Sequence, residues 1–338
     1  MASRTIEVSG AGPTSSLLSA KTFLDRDLCS MQDLTPAEVE AVLDLTAVMK
    51  ARPQDFRGAL DGKMIVLFFE KPSLRTRLTF EAGINSLGGK SFFVDQTANK
   101  LGTREPISDM AQNLERWVDG IVLRTFSHAT VTEMARWASI PVVNGLSDLE
   151  HPCQALADYM TLQEKFGDLR KVRMAYLGDG NNVAHSLMFA AAALGSSITI
   201  ATPNGYAPNP EIVAAATTLA KQTGGSVTLT HDAIKAVKGA DAVYTDVWAS
   251  MGQEDEAKER EKTFAAFQVN AKLMAYAAPH AIFMHCLPAH RGSEVTADVI
   301  DSPASVVFDQ AENRLHVQKA VLLLLLGGGM RRFPPRHA

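Results

Sequence analysis

Two guanidinium groups, two hydroxyls and a run of peptide N–H groups are gathered in Glu70-Lys71-Pro72-Ser73-Leu74-Arg75-Thr76-Arg77. The stretch follows an apolar run, Met64 to Phe69, and precedes the helix-compatible Leu78 to Leu87. A strand ending in such a turn, with a helix behind it, makes an anion cradle. The first-turn N–H groups have no helical partners, and the helix dipole favours negative charge. Arginine adds a planar fork that matches phosphate oxygens. Two arginines alone would read as a solvated basic loop. With Ser73 and Thr76 set between strand and helix, the stretch reads as a phosphate site. It is not a Walker A loop, because the glycines and lysine of G-x-x-x-x-G-K-[ST] are missing.

Further polar motifs stand behind later strand-like runs. Gly178-Asp179-Gly180-Asn181-Asn182-Val183 resembles a dinucleotide fingerprint without its third glycine. The acidic residue expected about 20 positions on is replaced by Thr202-Pro203-Asn204, so the two asparagines read as polar recognition instead. In the stretch from Val243 to Gly252, Asp246 could hold an ammonium group, and Met251-Gly252 could present backbone to a ligand. The charged run Glu254 to Lys262 reads as a solvated helix face. His285-Cys286-Leu287-Pro288 puts an imidazole and a thiol at another strand end. A papain-like reading, with His151 as base, would leave the hydroxyl and arginine cluster without a role. The histidines show no ligand spacing such as H-E-x-x-H, so no metal is expected.

These motifs need elements to position them. Strand-like runs occur at Met64–Phe69, Ser91–Asp95, Gly120–Thr125 and Pro141–Asn144, with helical stretches between, such as Ile107 to Trp117 and Val131 to Ala138. A helix-like span from Cys153 to Phe166 follows. Further strands are expected at Arg173–Leu177, Ser197–Ala201, Ser226–Thr230, Ala242–Thr245, Ala281–His285 and Ser305–Phe308. Short apolar, β-branched strands alternating with helices predict an α/β protein. Its two domains are each a parallel sheet flanked by helices and doubly wound, with ligands beyond the carboxyl ends of the strands. A length of 338 residues agrees with two domains. The expected division is 1–150 and 151–311, with the helical segment of about 312–338 packing back. Thr35-Pro36-Ala37-Glu38 reads as a capped helix start.

The net charge of −4, from 33 basic and 37 acidic residues, gives no footprint for nucleic acid or an anionic membrane. Cys29, Cys153 and Cys286 lie far apart, without a C-x-x-C pair, which points to a reducing cytoplasm. Met1 to Lys21 lacks the apolar core of a secretory signal. Ala320 to Leu326 is far shorter than the roughly 20 residues that span a bilayer.

In this order, the strand-end motifs resemble those of the ornithine carbamoyltransferases, from about Phe23 to Gly327. The resemblance is carried by Phe69-Glu70-Lys71-Pro72-Ser73, Arg75-Thr76-Arg77, His151-Pro152-Cys153-Gln154, Gly178-Asp179-Gly180-Asn181-Asn182, the run from Asp246 to Glu254, and His285-Cys286-Leu287-Pro288. Arg75-Thr76-Arg77 marks carbamoyltransferases generally. The Ser250-Met251-Gly252 and His285-Cys286-Leu287-Pro288 stretches point to free ornithine as acceptor. The resemblance implies transfer of a carbamoyl group from carbamoyl phosphate to the δ-amine of L-ornithine, giving L-citrulline and phosphate, with no metal or organic cofactor.

By resemblance, the first domain binds carbamoyl phosphate and the second ornithine. Ser73, Leu74 through its backbone, Arg75, Thr76 and Arg77 bind phosphate. Arg124, His151 and Gln154 address the carbamoyl end, Cys286 and Leu287 close the reaction centre, and Arg314 is a further carbamoyl-phosphate ligand that brings the final segment back towards the first domain. Asn182, Asp246, Ser250 and Met251 form the ornithine set. The catalytic group is then Arg124, His151, Asp246 and Cys286. For the proton lost by the attacking amine, Cys286, Asp246 and the departing phosphate all remain open.

Two positions depart from the commonest pattern of the family. Leu74 stands where threonine is frequent, and a hydrophobic residue there resembles the N-acylornithine carbamoyltransferases, which makes acyl-ornithine the second acceptor to weigh. Lys100 resembles the aspartate carbamoyltransferase lysine that reaches a neighbouring subunit's phosphate, and the family implies a homotrimer with shared active sites. A non-catalytic paralogue is disfavoured by the intact set of Arg75, Thr76, Arg77, Arg124, His151, Asp246 and Cys286.

Overall fold

The computed structural model describes Phe23 and residues 26–98, 100–249 and 256–327, with only the backbone at 257. Helix α1 (Pro36–Ala51) opens on a reciprocal cap: the Thr35 hydroxyl accepts the Glu38 N–H, while the Glu38 carboxylate accepts the Thr35 N–H at 2.8 Å. A four-stranded sheet follows, made of β1 (Met64–Phe69), β2 (Lys90–Asp95), β3 (Gly120–Arg124) and β4 (Val142–Leu146). Helices α2 (Leu74–Ser86), α3 (Ile107–Trp117) and α4 (His128–Trp137) connect its strands. The order is β2-β1-β3-β4, every pairing parallel. The five residues of β3 are all buried, as expected of a parallel strand covered on both faces.

Helix α5 (Pro152–Phe166) leads into the second sheet, β5 (Arg173–Leu177), β6 (Ser197–Ala201), β7 (Ser226–Thr230), β8 (Ala242–Thr245) and β9 (Ile282–His285). Its order is β7-β6-β5-β8-β9, again all parallel. The remaining helices are α6 (Asn182–Ala193), α7 (Pro210–Thr223), α8 (Ala233–Val237), α9 (Ala257–Phe264), α10 (Ala271–Met274), α11 (Ala297–Ile300) and α12 (Val307–Leu326). This is the two-domain α/β arrangement that the alternating pattern predicts. Helix α12 packs against α1, α2 and α5. A continuous apolar core runs through these helices, joining Phe80 and Ile84 of α2, Leu156 and Tyr159 of α5, and Val317 and Val321 of α12.

Among the bounds that differ from expectation, two bear on the site. Ser305–Phe308 is not a strand: Ser305 makes an isolated bridge to Phe283, and Val307 already begins α12. Two β-branched residues suggested a strand, but helical geometry buries Val307 and leaves Phe308 76% exposed. Helix α2 starts at Leu74 rather than Leu78, so Arg75, Thr76 and Arg77 lie in its first turn. No helix among the described residues is long and apolar enough to cross a membrane.

Candidate active site at the facing sheet ends

In each sheet the strand order reverses beside the first strand, between β1 and β3 and between β5 and β8. The crevice beyond such a switch point is where open parallel sheets bind ligands. Glu70 follows β1 and Arg124 ends β3; the Gly178–Asn182 turn follows β5 and Asp246 follows β8.

On the first sheet, the Ser73 hydroxyl caps α2 by accepting the Thr76 N–H at 3.2 Å. That turns the helix start, with its unpaired N–H groups, towards the strand ends. The buried Thr76 hydroxyl accepts from Arg314 Nη2 at 2.7 Å and from Arg124 Nη1 at 3.4 Å. The Nε atoms of both arginines are buried without a protein partner. Burial, with Arg314 and Arg75 nearby, pushes the Arg124 guanidinium down to about 9, still a cation at neutral pH. His151 is anchored at the N-cap of α5, its N–H donating to Ser186 Oγ at 2.8 Å, and its Nδ1 is unpartnered. Burial and the cations Arg314 and Arg124 hold its imidazole well below its ordinary value, so it is neutral at pH 7. Gln154 Nε2 donates to Asp158 Oδ1 at 2.8 Å, leaving its Oε1 buried and unpaired.

On the second sheet, Asp246 Oδ2 accepts from Asn181 Nδ2 at 2.9 Å. Its Oδ1 accepts from the Val247 N–H at 2.8 Å and the Cys286 thiol at 2.9 Å. Burial, the Asp246 carboxylate and this bond push the Cys286 thiol well up, so it stays protonated. Asn181 also caps α6 through its carbonyl oxygen, which leaves the amide nitrogen for Asp246. The turn is tight here: a Cβ on Gly180 would meet Pro208 N at 2.2 Å. Arg260 of α9 donates to Asp179 Oδ2 at 2.6 Å, to the Trp248 carbonyl at 2.9 Å and to Glu256 at 2.9 Å.

After β9, Leu287 takes the left-handed conformation, φ 57°, before a cis peptide to Pro288. Its N–H donates to His285 Nδ1 at 2.9 Å, while His285 Nε2 faces Glu294 at 3.2 Å. Asp246, His285 and Cys286 bring ligand-type atoms within 4.8 Å of one another, but both His285 nitrogens are already engaged in that strut. Cys286 lies close enough to Arg75, Arg124 and Arg314 for a charge on its sulfur to act on all three guanidinium groups.

Of the residues singled out by sequence, Thr76, Arg124, Arg314 and His151 thus form one cluster with Arg75 beside it, and Asp246 and Cys286 another. Arg77 turns outward: Nε donates to Glu81 at 3.2 Å, and the guanidinium lies 3.7 Å over the Phe93 ring. The Leu74 side chain is 70% exposed. Asn182 Nδ2 donates to the Ser147 carbonyl at 2.6 Å, bridging the two halves. Lys100 lies 4.9 Å over the Phe126 ring, beside Lys71 at 4.6 Å. Ser250 and Met251 lie outside the described residues. Sequence reasoning missed Asn181 as the partner of Asp246, Glu70 as the acceptor for the Leu101 and Phe126 N–H groups at 2.7 and 2.8 Å, and the buried pair Asp158 and Gln310. The one available signal was Asp158 standing four residues after Gln154, on the same helix face.

Residues 26–164 match the model of the aspartate/ornithine carbamoyltransferase carbamoyl-P binding domain, and residues 170–325 that of the aspartate/ornithine carbamoyltransferase Asp/Orn binding domain. The chain is 53% identical over 308 residues to an ornithine carbamoyltransferase of Thermococcus kodakarensis, covering 90% of this chain and 97% of that one. It is 53% identical over 307 residues to one of Symbiobacterium thermophilum, covering 90% and 99%. Among solved structures, the ornithine carbamoyltransferase of Pyrococcus furiosus superposes with a TM-score of 0.88 at 51% identity, covering 91% of this chain and 99% of that one.

Proposed function

The chain belongs to the aspartate/ornithine carbamoyltransferase family, and we propose from its site how it carries out the family's reaction on ornithine. It is a transferase that moves the carbamoyl group of carbamoyl phosphate to the δ-amine of L-ornithine, giving L-citrulline and phosphate. The observation that carries the assignment of roles is the meeting of two halves of opposite charge. Arg124 and Arg314 meet on Thr76 at one sheet end with Arg75 beside them, and an Asp246 carboxylate stands at the other, bonded by the Cys286 thiol.

The cationic half receives the phosphate, with Ser73, Leu74, Thr76 and Arg77 offering helix-start N–H groups or side chains and Lys100 a further ammonium. Arg124 and neutral His151 address the carbamoyl carbonyl oxygen and stabilise the negative charge that grows there as the amine attacks. Gln154 addresses the carbamoyl NH2, and Cys286 and Leu287 close the reaction centre. Asp246, held by Asn181 and Val247, aligns the ornithine amine, and Asn182, Ser250 and Met251 complete the acceptor side.

A lysine-like amine is almost wholly protonated at pH 7 and must lose a proton before attacking; entry into this buried site lowers its pKa. The amine lone pair then forms the C–N bond, the C–O bond to phosphorus breaks, and the phosphate leaves with that electron pair. A protonated Cys286 thiol is no base, and the Asp246 carboxylate, held by Asn181 and the Val247 N–H, is taken up in aligning the amine. The departing phosphate therefore takes the second proton of the amine.

The proposed assembly is a homotrimer in the cytoplasm, its sites shared between subunits, with domains of 1–150 and 151–311 and a final helix from about 312 packing back. A similar chain of Pyrococcus furiosus, 52% identical, carries the name "anabolic", which supports a place in arginine biosynthesis. The test is citrulline formation from carbamoyl phosphate with ornithine, N-acetylornithine or N-succinylornithine. Turnover with ornithine alone is expected; turnover only with an acylated acceptor, or with none, overturns the assignment.

A further inference from the structure

A backbone N–H can only donate, and this dictates the sense of a buried chain of amides behind the site. At the end of β9, the His285 N–H donates to Gln310 Oε1 at 3.0 Å. Gln310 therefore turns its amide nitrogen the other way, onto Asp158 Oδ1 at 2.6 Å. The same carboxyl oxygen accepts Gln154 Nε2 at 2.8 Å. Gln154 is left with a buried carbonyl oxygen to which no protein group donates a hydrogen bond. Gln154 is 1% exposed, and Asp158 and Gln310 are fully buried, so no solvent competes for these bonds.

We propose that Asp158 is a positioning residue that fixes the Gln154 amide with its oxygen, not its nitrogen, towards the NH2 of the substrate, making the site select a carbamoyl over an acetyl group. The proposal rests on the reading of Gln154 as a carbamoyl ligand. A glutamine amide is nearly symmetric in shape, so turning it over exchanges an acceptor for a donor with little steric cost. Turned over, Gln154 would set NH2 against NH2. Held as found, it accepts from a carbamoyl nitrogen and has nothing to accept from an acetyl methyl. A polar group built to pair with a substrate N–H discriminates against the analogue lacking it, because that group is then left unpaired. Gln310 adds a second consequence: the orientation of Gln154 on α5 is tied through α12 to the end of the strand that carries Cys286 and Leu287. Arg314 also acts on Asp158 electrostatically.

The test measures KM for carbamoyl phosphate and ornithine, and Ki for acetyl phosphate as a competitive inhibitor, in wild type, Asp158→Leu, Asp158→Asn, Gln154→Ala and the Gln154→Ala/Asp158→Leu double variant. Asp158→Leu is expected to raise KM for carbamoyl phosphate about tenfold, the size of one lost hydrogen bond to a buried group. Ki for acetyl phosphate and KM for ornithine should stay within about twofold. Asp158→Asn keeps an oxygen that can accept both amides and should restore carbamoyl-phosphate KM to within about threefold of wild type. In the Gln154→Ala background, Asp158→Leu should add nothing. Equal weakening of carbamoyl and acetyl phosphate, or effects that multiply in the double variant, would overturn the proposal. Should Asp158→Leu fail to fold, Asp158→Ala removes the same acceptor with less bulk and must shift the carbamoyl-to-acetyl ratio in the same direction. A wild-type protein that makes no citrulline defeats the functional reading itself, whereas an active one whose ratio ignores all these variants defeats only the positioning role.

Discussion

At the scale of single residues, the site concentrates cations and pairs them with neutral or obligate acceptor groups. His151 is kept neutral by burial and by the same arginines that attract the substrate, so it can approach a developing oxyanion without adding another charge to a crowded cationic cluster. Arg75 is half-buried in that cluster. Arg75→Ala should cost on the order of 2–5 kcal/mol of carbamoyl-phosphate binding, about 30-fold or more in affinity; calorimetry with an unchanged affinity would remove it from the phosphate site. Asp246→Asn should spare carbamoyl phosphate but cripple turnover with ornithine, because an amide cannot supply the charge that pairs with an ammonium. A collapse of carbamoyl-phosphate affinity with normal ornithine saturation would show the two halves to be wrongly assigned. Asp158 sets a pH dependence on stability. Burial raises its carboxyl from 3.8 to about 7 in the fold, against the lowering effects of Gln154, Gln310 and Tyr244. A group that binds its proton more tightly when folded contributes stability fully below about pH 4, and that contribution is lost as pH rises to about 7. Asp158→Asn does not titrate, so denaturant unfolding at about pH 5 and pH 8 should show the variant gaining on wild type by on the order of 3 kcal/mol. Parallel pH dependence in the two proteins would refute that titration.

At the scale of elements, α12 does more than close the core. It begins beside β9, where Gln310 meets His285, presents Arg314 to Thr76 of α2, and then buries Val317, Val321 and Leu322 among the helices of the first sheet. Leu322 is 2% exposed, so Leu322→Ala should cost about 2–5 kcal/mol through lost burial and the cavity left behind. Because α12 also carries Arg314, the variant should weaken carbamoyl-phosphate binding before it unfolds globally. Urea titration followed in parallel by fluorescence and ligand binding checks this, and coincident transitions with unaltered affinity would contradict it. The sheets themselves were legible in the sequence. β1, β5 and β8 are short, mostly apolar, and buried along nearly their whole length. Ser305–Phe308 misled because Val306 and Val307 carry the same local preference while their partners were decided by tertiary packing. The start of α2 was hidden for the opposite reason: Leu-Arg-Thr-Arg shows no apolar stripe, and the Ser73 cap defines it instead. The site was legible as residue types at strand ends, but not as pairings. That Asn181 rather than Asn182 holds Asp246, and that Arg77 turns towards Glu81 and Phe93, depends on side-chain directions that spacing alone does not carry.

At the scale of the whole molecule, the remaining question is how far one chain completes its own site. Glu70 holds the segment after β2 by accepting the Leu101 N–H, and Lys100 extends from it over Phe126. On the same flank, α2 exposes Leu74 and Leu78, and the edge strand β2 exposes Phe92, each at least 50% accessible. Large apolar side chains gathered beside a sheet edge favour cover by another copy, which supports the proposed trimer and would carry the Lys100 segment towards a neighbour's phosphate site. A residue that serves a neighbour can be damaged separately from the groups that receive it. Lys100→Glu should set a repulsive charge at the adjoining site, and Arg75→Ala should disable the receiving one, so each homotrimer is expected to be nearly inactive. When the two variants are dissociated, mixed one to one and reassociated, a site is intact if a chain with Arg75 neighbours a chain with Lys100. Random assembly makes roughly a quarter of the sites intact, and citrulline formation should return towards that fraction of wild type. Full activity of Lys100→Glu by itself, or hybrids verified by mass spectrometry that recover nothing, would confine Lys100 to its own chain or remove it from the reaction.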